Sequence, residues 1–452
     1  MYRSLGFWIS LLCFVALSAP LQAQQSPTDL SIQSLELHVK MYPRDFAGYD
    51  GLGAAYLQKG RETGDADYYE RAKAALNKSL ELRSGDPDAA SAMTNMAVAC
   101  MSEHRFADAL VWAQDALALG SGDPSAWAIA GDALADMGNY AEAADAYSKL
   151  QSPFVSEDEK LGFSYERDSR MSSLRMVAGD SEGAVQLMRS AIRVAVETNM
   201  PAENIAWSEY QLGEELFQSG DYAGARKAYL DSLEQYPSYY RALGGLAKVS
   251  AAQGYLSEAV DFYKKALAVV PFPEYAAALG DVYQKLHQPD EAKKQYELVE
   301  FIGYLNEVNQ EIHNRDLALF YADHDMKLDK SLELARNEME VRRDIYSWDV
   351  LAWSLYKNGK NQEASEAISH ALQQGTADAT IFFHAGMIYA RLGDSAAAKM
   401  YLHRAITLSP QFHVLHAEVA KATLASLEAG PGADDKNSAH LDQQGRVSGG
   451  LR

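Results

Sequence analysis

The sequence predicts an all-α fold, an α-solenoid of about ten tandem helix-turn-helix units. A pattern of small and aromatic residues recurs at intervals of 34 residues, a period typical of helical repeats. A glycine near the middle of most periods indicates a turn, and the apolar residues on both sides of it follow helical spacing. Because one such hairpin cannot bury its apolar face alone, we expect the units to stack into a continuous array.

The repeat is clearest in two parts of the chain. In the middle, Leu212-Gly213, Gly220, Ala225, Tyr229 and Pro237 return one period later as Leu246-Ala247, Gly254, Ala259, Tyr263 and Pro271. Near the C-terminus, Ala352, Gly359, Ala364 and Ala371 return as Gly386, Gly393, Ala398 and Ala405. By register the units begin near Phe46, Ala90, Pro124, Tyr165, Ala206, Tyr240, Pro273, Glu311, Ile345 and Ala379.

The turn between the two helices of a unit has its own signature, glycine followed by Asp or Asn, as in Gly138-Asn139, Gly220-Asp221 and Gly393-Asp394. Glycine can adopt the positive φ that ends the first helix, and the next side chain can cap the second. The unit from Glu311 has Asp323-His324-Asp325 in place of this turn, and we expect its boundaries to deviate from the register.

The first 23 residues are expected to be a cleaved signal peptide. Arg3 is followed by an apolar run at residues 5–17, too short to span a bilayer comfortably, and small residues precede a cleavage point after Ala23. A retained membrane anchor is the alternative, but polar residues follow at once without a basic stop-transfer cluster. The mature chain is therefore expected to be exported, periplasmic or secreted, with no direct insertion into the membrane.

Four further segments are expected in order. Residues 24–45 form an N-terminal helix, residues 46–411 the repeat array, residues 412–428 a C-terminal capping helix and residues 429–452 a disordered tail. The net charge is −21, and loss of Arg3 with the signal makes it −22, which argues against nucleic acid as a partner. The mature chain keeps one cysteine, Cys100, on an apolar helical face, which favours a buried structural thiol.

The helix-turn-helix unit resembles the tetratricopeptide repeat family, and with its signal the chain resembles an exported bacterial-type member. The match is best from Leu212 and from Trp348 onward. The resemblance implies a right-handed superhelix whose first helices line a concave groove that binds protein segments. It also implies that the outward positions of those helices are the binding candidates. These candidates are Trp207, Tyr210, Phe217, Arg241, Lys248, Lys285, Tyr346, Trp353, Tyr356, Phe383 and Met387.

Rings and cations at these positions suit a protein or peptide partner, and large rings left exposed would favour aggregation unless they bind something. The alternative is that the rings pack against a neighbouring superhelical turn or a long loop. The carboxylate clamp of chaperone-binding family members is not supported, because Tyr210, Glu214, Asp349 and Trp353 stand where Lys and Asn are needed.

No catalytic signature was found: the sequence has no phosphate-binding loop and no nucleophile elbow, and we expect neither enzyme activity nor a cofactor. His413 and His416, one helical turn apart with His403 and His384 nearby in the register, are weak candidates for metal binding, and no metal site is assigned. The sequence thus predicts a non-catalytic scaffold of the cell envelope or exterior that holds a partner segment in its groove. The alternative is an exported protein that binds a small ligand or a metal.

Overall fold

The computed structural model describes residues 26–83, 87–120, 124–150, 157–308 and 314–429. Within them the chain forms 22 α-helices and a single 3₁₀ turn at Pro87–Ala89. The helices are α1 (Pro27–Met41), α2 (Phe46–Thr63), α3 (Asp67–Leu82), α4 (Ala90–Ser102), α5 (Phe106–Ala118), α6 (Ser125–Asp136), α7 (Tyr140–Ser148), α8 (Glu157–Val177), α9 (Ser181–Glu197), α10 (Ala202–Gln218), α11 (Tyr222–Gln235), α12 (Tyr240–Ala252), α13 (Leu256–Val269), α14 (Pro273–Lys285), α15 (Pro289–Val308), α16 (Arg315–Asp323), α17 (Leu328–Val341), α18 (Ile345–Lys357), α19 (Asn361–Leu372), α20 (Ala379–Arg391), α21 (Ser395–Leu408) and α22 (His416–Ala429). The predicted signal peptide and the predicted tail beyond Ala429 lie outside the described residues.

Twenty of the helices pack as ten pairs, from α2/α3 to α20/α21, and this confirms the predicted all-α solenoid of about ten units. The first helices of most neighbouring pairs also contact one another, as α10 does with α12 and α18 with α20. The second helices make no comparable contacts with one another in the described part of the chain. The array therefore curves with the first helices on its concave side.

The turns follow the predicted chemistry at most positions. Gly220 and Gly393 have φ values of 86° and 81°, and the following Asp221 and Asp394 accept backbone N–H groups in the first turn of the second helix. Asn139, expected to cap α7 in the same way, makes no side-chain capping hydrogen bond. In the unit that lacks the glycine, Asp325 takes the left-handed conformation at φ 53°, a role that Asp tolerates better than most residues.

Three helices begin away from their registered positions. The expected starts were Tyr165, Ala206 and Glu311, whereas α8 begins at Glu157, α10 at Ala202 and α16 at Arg315, where Asn314 caps it by accepting the N–H of Leu317. The register assumes hairpins of equal length, but α8 has 21 residues and α9 has 17. Residues 61–69 include the end of α2 at Thr63 and the start of α3 at Asp67, and α2 has 18 residues.

The core lies between the helices of each pair and between successive pairs. Tyr229 on α11 is fully buried, and its ring fills the space left by Gly213 on one pair and Gly245 on the next. Ala225 and Ala259, one period apart, are also fully buried where the helices approach closely. These small residues stabilise the stack because they let large rings fill interiors at close-packed density. Cys100 is buried in such an interior.

Successive superhelical turns contact each other. The turn glycines of the third, fourth and fifth pairs lie against backbone carbonyls at the C-terminal ends of the pairs five places later. These contacts are Gly138 against Arg343, Gly179 against Gly375, and Gly220 against Leu408, the last residue of α21. Arg343 donates its backbone N–H to the carbonyl of Asp136 at 3.1 Å. The hydroxyl groups of Tyr222 and Ser409 lie 2.9 Å apart. The superhelix is therefore tightly wound, and its later pairs close over its earlier ones.

Candidate functional site

The concave face holds a group of polar and aromatic side chains from α10, α12, α14, α16 and α18. We call it the central groove, and it comprises Tyr210, Glu214, Arg241, Lys248, Glu274, Asp316 and Tyr346. The pKa of Glu274 is shifted by the charges of four other residues of the groove, namely Lys248, Glu214, Arg241 and Asp316. Side chains from four successive first helices therefore share one electrostatic environment, as expected for residues lining a single surface.

The cations of the central groove already have partners. Lys248 Nζ lies 2.6 Å from a Glu214 carboxylate oxygen, and its ammonium group lies 4.5 Å from the centre of the Phe217 ring. Burial opposes the charge of Lys248, but the Glu214 carboxylate outweighs it and raises the pKa of the lysine. The guanidinium group of Arg241 lies 5.2 Å from the centre of the Tyr240 ring. These two predicted anchors are thus already neutralised or covered within the protein.

Two carboxylates of the central groove, unlike its cations, lack such partners among the described residues. Glu274 on α14 and Asp316 on α16 are exposed, and neither forms an ion pair or a hydrogen bond with any residue that the structure describes. Reduced hydration inside the curved array, followed by the like charge of Asp316, raises the pKa of Glu274 to about 7. Glu274 keeps contact with solvent, so enclosure by the surrounding helices, and not complete burial, accounts for the shift. The open charge of the groove is therefore negative.

The aromatic candidates of the first cluster are packed to different degrees. Phe217 is buried, with its ring centre 5.3 Å from that of Tyr222. Trp207 and Tyr210 are half-buried, and the Tyr210 ring lies 6.0 Å from Tyr229. Trp207 and Tyr210 keep part of their surface accessible, and Phe217 belongs to the core.

The second aromatic cluster is more deeply packed. Trp353 is 2% exposed, and it stacks on Tyr356 at 4.9 Å and on His384 at 4.1 Å. Phe383 is 1% exposed, and Tyr346, Tyr356 and Met387 are half-buried. The packing alternative left open by the sequence thus describes Trp353 and Phe383.

A segment of the chain itself covers this second cluster. Residues 409–418, which we call the C-terminal segment, link α21 to the first residues of α22. Phe412 lies 5.6 Å from the Phe383 ring, and His416 lies 5.1 Å from it. Glu418 pairs with Lys285 on α14 at 2.6 Å, so the last cation among the predicted groove residues is neutralised as well.

The C-terminal segment brings histidines next to buried carboxylates. We call this group the histidine cluster, and it comprises Asp281, Asp323, His324, His384, His413 and His416. His324 Nε2 lies 2.7 Å from Asp281, and His413 Nε2 lies 3.4 Å from the other oxygen of the same carboxylate. His384 Nδ1 lies 2.9 Å from Asp349.

The protonation states within the histidine cluster differ. Burial opposes the charge of His324, but Asp281 outweighs it and raises the pKa of His324 to about 9. Burial, followed by the nearby His413, holds the pKa of His416 well below its usual range. Burial raises the pKa of Asp323, while neighbouring histidines partly offset it. One charged and one neutral imidazole thus occur within the same small group.

The metal candidates named from the sequence are only partly brought together. His413 and His416 are neighbours, with ring centres 4.2 Å apart. His403 lies apart, 3.5 Å from Glu428, and Glu418, the nearby carboxylate in the sequence, pairs with Lys285 instead. The carboxylate that does approach the two histidines is Asp323, which sequence proximity could not reveal because it lies on α16.

An open pocket of about 440 Å³ lies elsewhere, between α5, α6 and α7. Its lining includes Leu110, Trp127 and Leu134, and Lys149 lies 4.2 Å from the centre of the Trp127 ring. Because the pocket is open to solvent, it does not enclose a solute as a small-molecule binding site usually does.

Comparison with protein families agrees with these helix pairs. Two family models described as tetratricopeptide repeat match the sequence, one at residues 69–124 and 210–276 and the other at residues 379–412. These three stretches of the chain are therefore similar to tetratricopeptide repeats. Proteins built from tetratricopeptide repeats are usually non-catalytic scaffolds that mediate protein–protein interactions. No curated protein sequence matches this chain.

Several solved structures are similar to parts or most of the chain. A tetratricopeptide repeat protein from Parabacteroides merdae is 20% identical, covers 59% of this chain and 99% of its own, and has a TM-score of 0.33. Yeast Tom70 is 13% identical, with coverage of 87% and 99% and a TM-score of 0.33. The hetero-tetramer Cut9–Hcn1 of the APC/C is 13% identical, with coverage of 89% and 96% and a TM-score of 0.32. Among the helices that the structure describes, none combines the length and apolar character needed to cross a bilayer.

Proposed function

We propose that this protein is a non-catalytic scaffold of the cell envelope or exterior that binds an extended, basic segment of a partner protein along the central groove. One observation carries the proposal: Glu274 and Asp316 are both exposed on the first helices, Asp316 lies close enough to raise the pKa of Glu274, and neither has an ion-pair partner among the described residues. Two neighbouring carboxylates that repel each other gain most from a ligand that brings positive charge between them.

The surroundings of this acidic pair support a protein ligand. Tyr210 is half-buried and close enough to Glu274 for the carboxylate to affect its pKa, which burial already raises well above the usual value. Phe272 and Tyr275 flank Glu274 in sequence, with ring centres 5.6 Å apart. Aromatic rings that present one face beside carboxylates suit Lys and Arg side chains, because the ring face and the carboxylate both attract the cation. In this proposal the cations Arg241, Lys248 and Lys285, which were candidates from the sequence, hold neighbouring side chains of the protein in place. They do not contact the ligand.

The experiment that tests this proposal is a peptide-array measurement with the purified chain lacking residues 1–23. We expect bound peptides to be enriched in Lys and Arg, and the double variant E274Q/D316N to bind a selected peptide about tenfold more weakly, since tenfold corresponds to about 1.4 kcal/mol. The matched control is E340Q/E366Q, which removes the same number of negative charges from exposed positions on the second helices α17 and α19. Enrichment of acidic peptides, or equal losses in the two double variants, would exclude the acidic pair as the recognition element.

The location is a separate part of the proposal and rests on residues 1–23 alone. The expected first residue of the mature protein is Gln24. Fusing residues 1–30 to a reporter enzyme that is active only after export, and sequencing the N-terminus of the expressed full chain, tests this directly. An inactive reporter together with an intact Met1 would place the scaffold inside the cell and leave the groove proposal unaffected.

A further inference from the structure

Three potential metal ligands converge where the C-terminal segment crosses the end of α16. The ligand atoms of Asp323, His413 and His416 all lie within 4.8 Å of one another, and all three residues are half-buried. Asp323 is the last residue of α16, and the two histidines are contributed from about 90 residues further along. The group is therefore assembled by the tertiary fold and is not a local accident of one helix.

Hydrogen bonding among the three side chains does not account for their convergence. His416 Nε2 lies 3.9 Å from Asp323 Oδ1, which is too long for a hydrogen bond. The carboxylate instead accepts the indole N–H of Trp353 at 2.7 Å. This bond uses one of the acceptor positions of the carboxylate and fixes its orientation, and the remaining positions stay available for a ligand.

The side chains of the group are of the types that bind divalent cations. Asp323 supplies a half-buried carboxylate, and His413 and His416 supply imidazole nitrogens within 4.8 Å of it and of each other. A divalent ion at this position would compensate the charge of the carboxylate and use the imidazoles as ligands.

His413 has the second partner that metal-bound histidines usually have. Its Nε2 faces Asp281 Oδ2 at 3.4 Å, the carboxylate–histidine arrangement that orients an imidazole toward a metal through its other nitrogen. That nitrogen, Nδ1, now accepts the backbone N–H groups of Leu415 and His416 at 3.2 and 3.3 Å. Metal binding would replace these two long contacts.

We propose that Asp323, His413 and His416 form a binding site for Zn²⁺ that ties the C-terminal segment to the end of α16. Two imidazoles and one carboxylate, with a fourth position open to water, match the ligand types and number that zinc prefers. Tetrahedral zinc with ligand bonds of about 2.0–2.1 Å would bring its donor atoms to about 3.4 Å from one another, so the three side chains must close by about 1 Å. The site does not depend on the proposed partner, because the central groove contributes no ligand.

The test is a calorimetric titration of chelator-treated, full-length mature chain with ZnCl₂, together with a CoCl₂ titration followed by visible absorption. We expect one Zn²⁺ per chain and a Co²⁺ spectrum of the tetrahedral type in the wild type. D323N keeps an acceptor for Trp353 but loses the charge, and H416F keeps a ring against Phe383 but loses the nitrogen, so each should weaken zinc binding at least about tenfold. The matched control is H403F, which removes an exposed histidine outside the group and should bind as the wild type does.

The results of these titrations distinguish a zinc site from its absence. Absence of stoichiometric zinc binding in the wild type overturns the proposal, and so does unchanged affinity in D323N and H416F or an equal loss in H403F. Circular dichroism of each variant shows whether it is folded, and if H416F is not, D323N decides. A zinc-dependent rise in the melting temperature of the wild type that is absent in D323N provides a second reading of the same site.

Discussion

Replacement of Glu215 by Gln is expected to stabilise the protein at alkaline pH. Glu215 lies on α10 and is 6% exposed. Its Oε1 accepts a hydrogen bond from the Ser172 hydroxyl on α8, and its Oε2 has no hydrogen-bond partner in the described part of the chain. Burial raises the pKa of Glu215 to about 7, and the hydrogen bond from Ser172 only partly offsets this shift.

The size of the effect follows from the shift. The pKa rises from 4.5 to about 7 on folding, and each pKa unit corresponds to about 1.4 kcal/mol. The folded state therefore binds this proton more tightly than the unfolded state does, and stability is lost as the pH rises from about 4.5 through about 7. Gln keeps an acceptor for Ser172 without a charge. We expect E215Q to raise the free energy of unfolding by about 3 kcal/mol at pH 8 and by less than about 1 kcal/mol at pH 5.

The assay is urea unfolding of the wild type and E215Q at pH 5 and pH 8, followed by far-ultraviolet circular dichroism. E366Q, which removes an exposed carboxylate on α19, serves as the control and should shift the midpoint little at either pH. Equal midpoints for the wild type and E215Q at pH 8, or a lower midpoint for E215Q there, would show that the ionised carboxylate is well accommodated and would refute the reasoning.

Two further substitutions test the packing. W353A should lower the free energy of unfolding by about 3–5 kcal/mol and W353F by about 1–2 kcal/mol. The first removes the whole buried ring system, whereas the second leaves a smaller ring in place and loses the N–H donated to Asp323. Equal effects of the two substitutions in urea unfolding would place Trp353 outside the core. G220A and G254A both place alanine at a positive φ, but only the added Cβ of G220A collides with the Leu408 carbonyl on the next superhelical turn. G220A should therefore lose about 1–3 kcal/mol more than G254A and increase the radius of gyration measured by X-ray scattering, whereas similar losses would mean that the two turns do not touch in solution.

The sequence predicted the contacts that repeat and missed those that do not. The pairing of helices and the turns at Gly220-Asp221 and Gly393-Asp394 depend on residues one period apart or closer, and all of these follow from spacing and turn chemistry. The start of α8 at Glu157 was missed because a longer helix has no signature in a fixed register. Local pattern and nearest-neighbour packing are what a repeat sequence specifies.

Contacts between superhelical turns could not be predicted from the pattern of a single repeat. They depend on the small rotation between successive pairs, which accumulates over five pairs before Gly138 meets Arg343. No single period encodes that sum, so burial of Trp353 beneath the C-terminal segment and the approach of Asp323 to His416 could not be read from spacing. The binding candidates named from the sequence lie at first-helix positions as expected, but the unpaired charges of the groove, Glu274 and Asp316, were not among them.

The covering of the second aromatic cluster limits where a partner can bind. Phe412 and His416 already contact the rings that a ligand in the C-terminal part of the groove would need, so a partner can use that part only by displacing the C-terminal segment. In the central groove, the acidic pair Glu274 and Asp316 is exposed. If zinc ties the segment to Asp323, zinc must lower the affinity of any ligand that displaces the segment. By linkage, that ligand must lower the affinity for zinc by the same factor. A ligand confined to Glu274 and Asp316 leaves the segment in place, so its affinity should not depend on zinc.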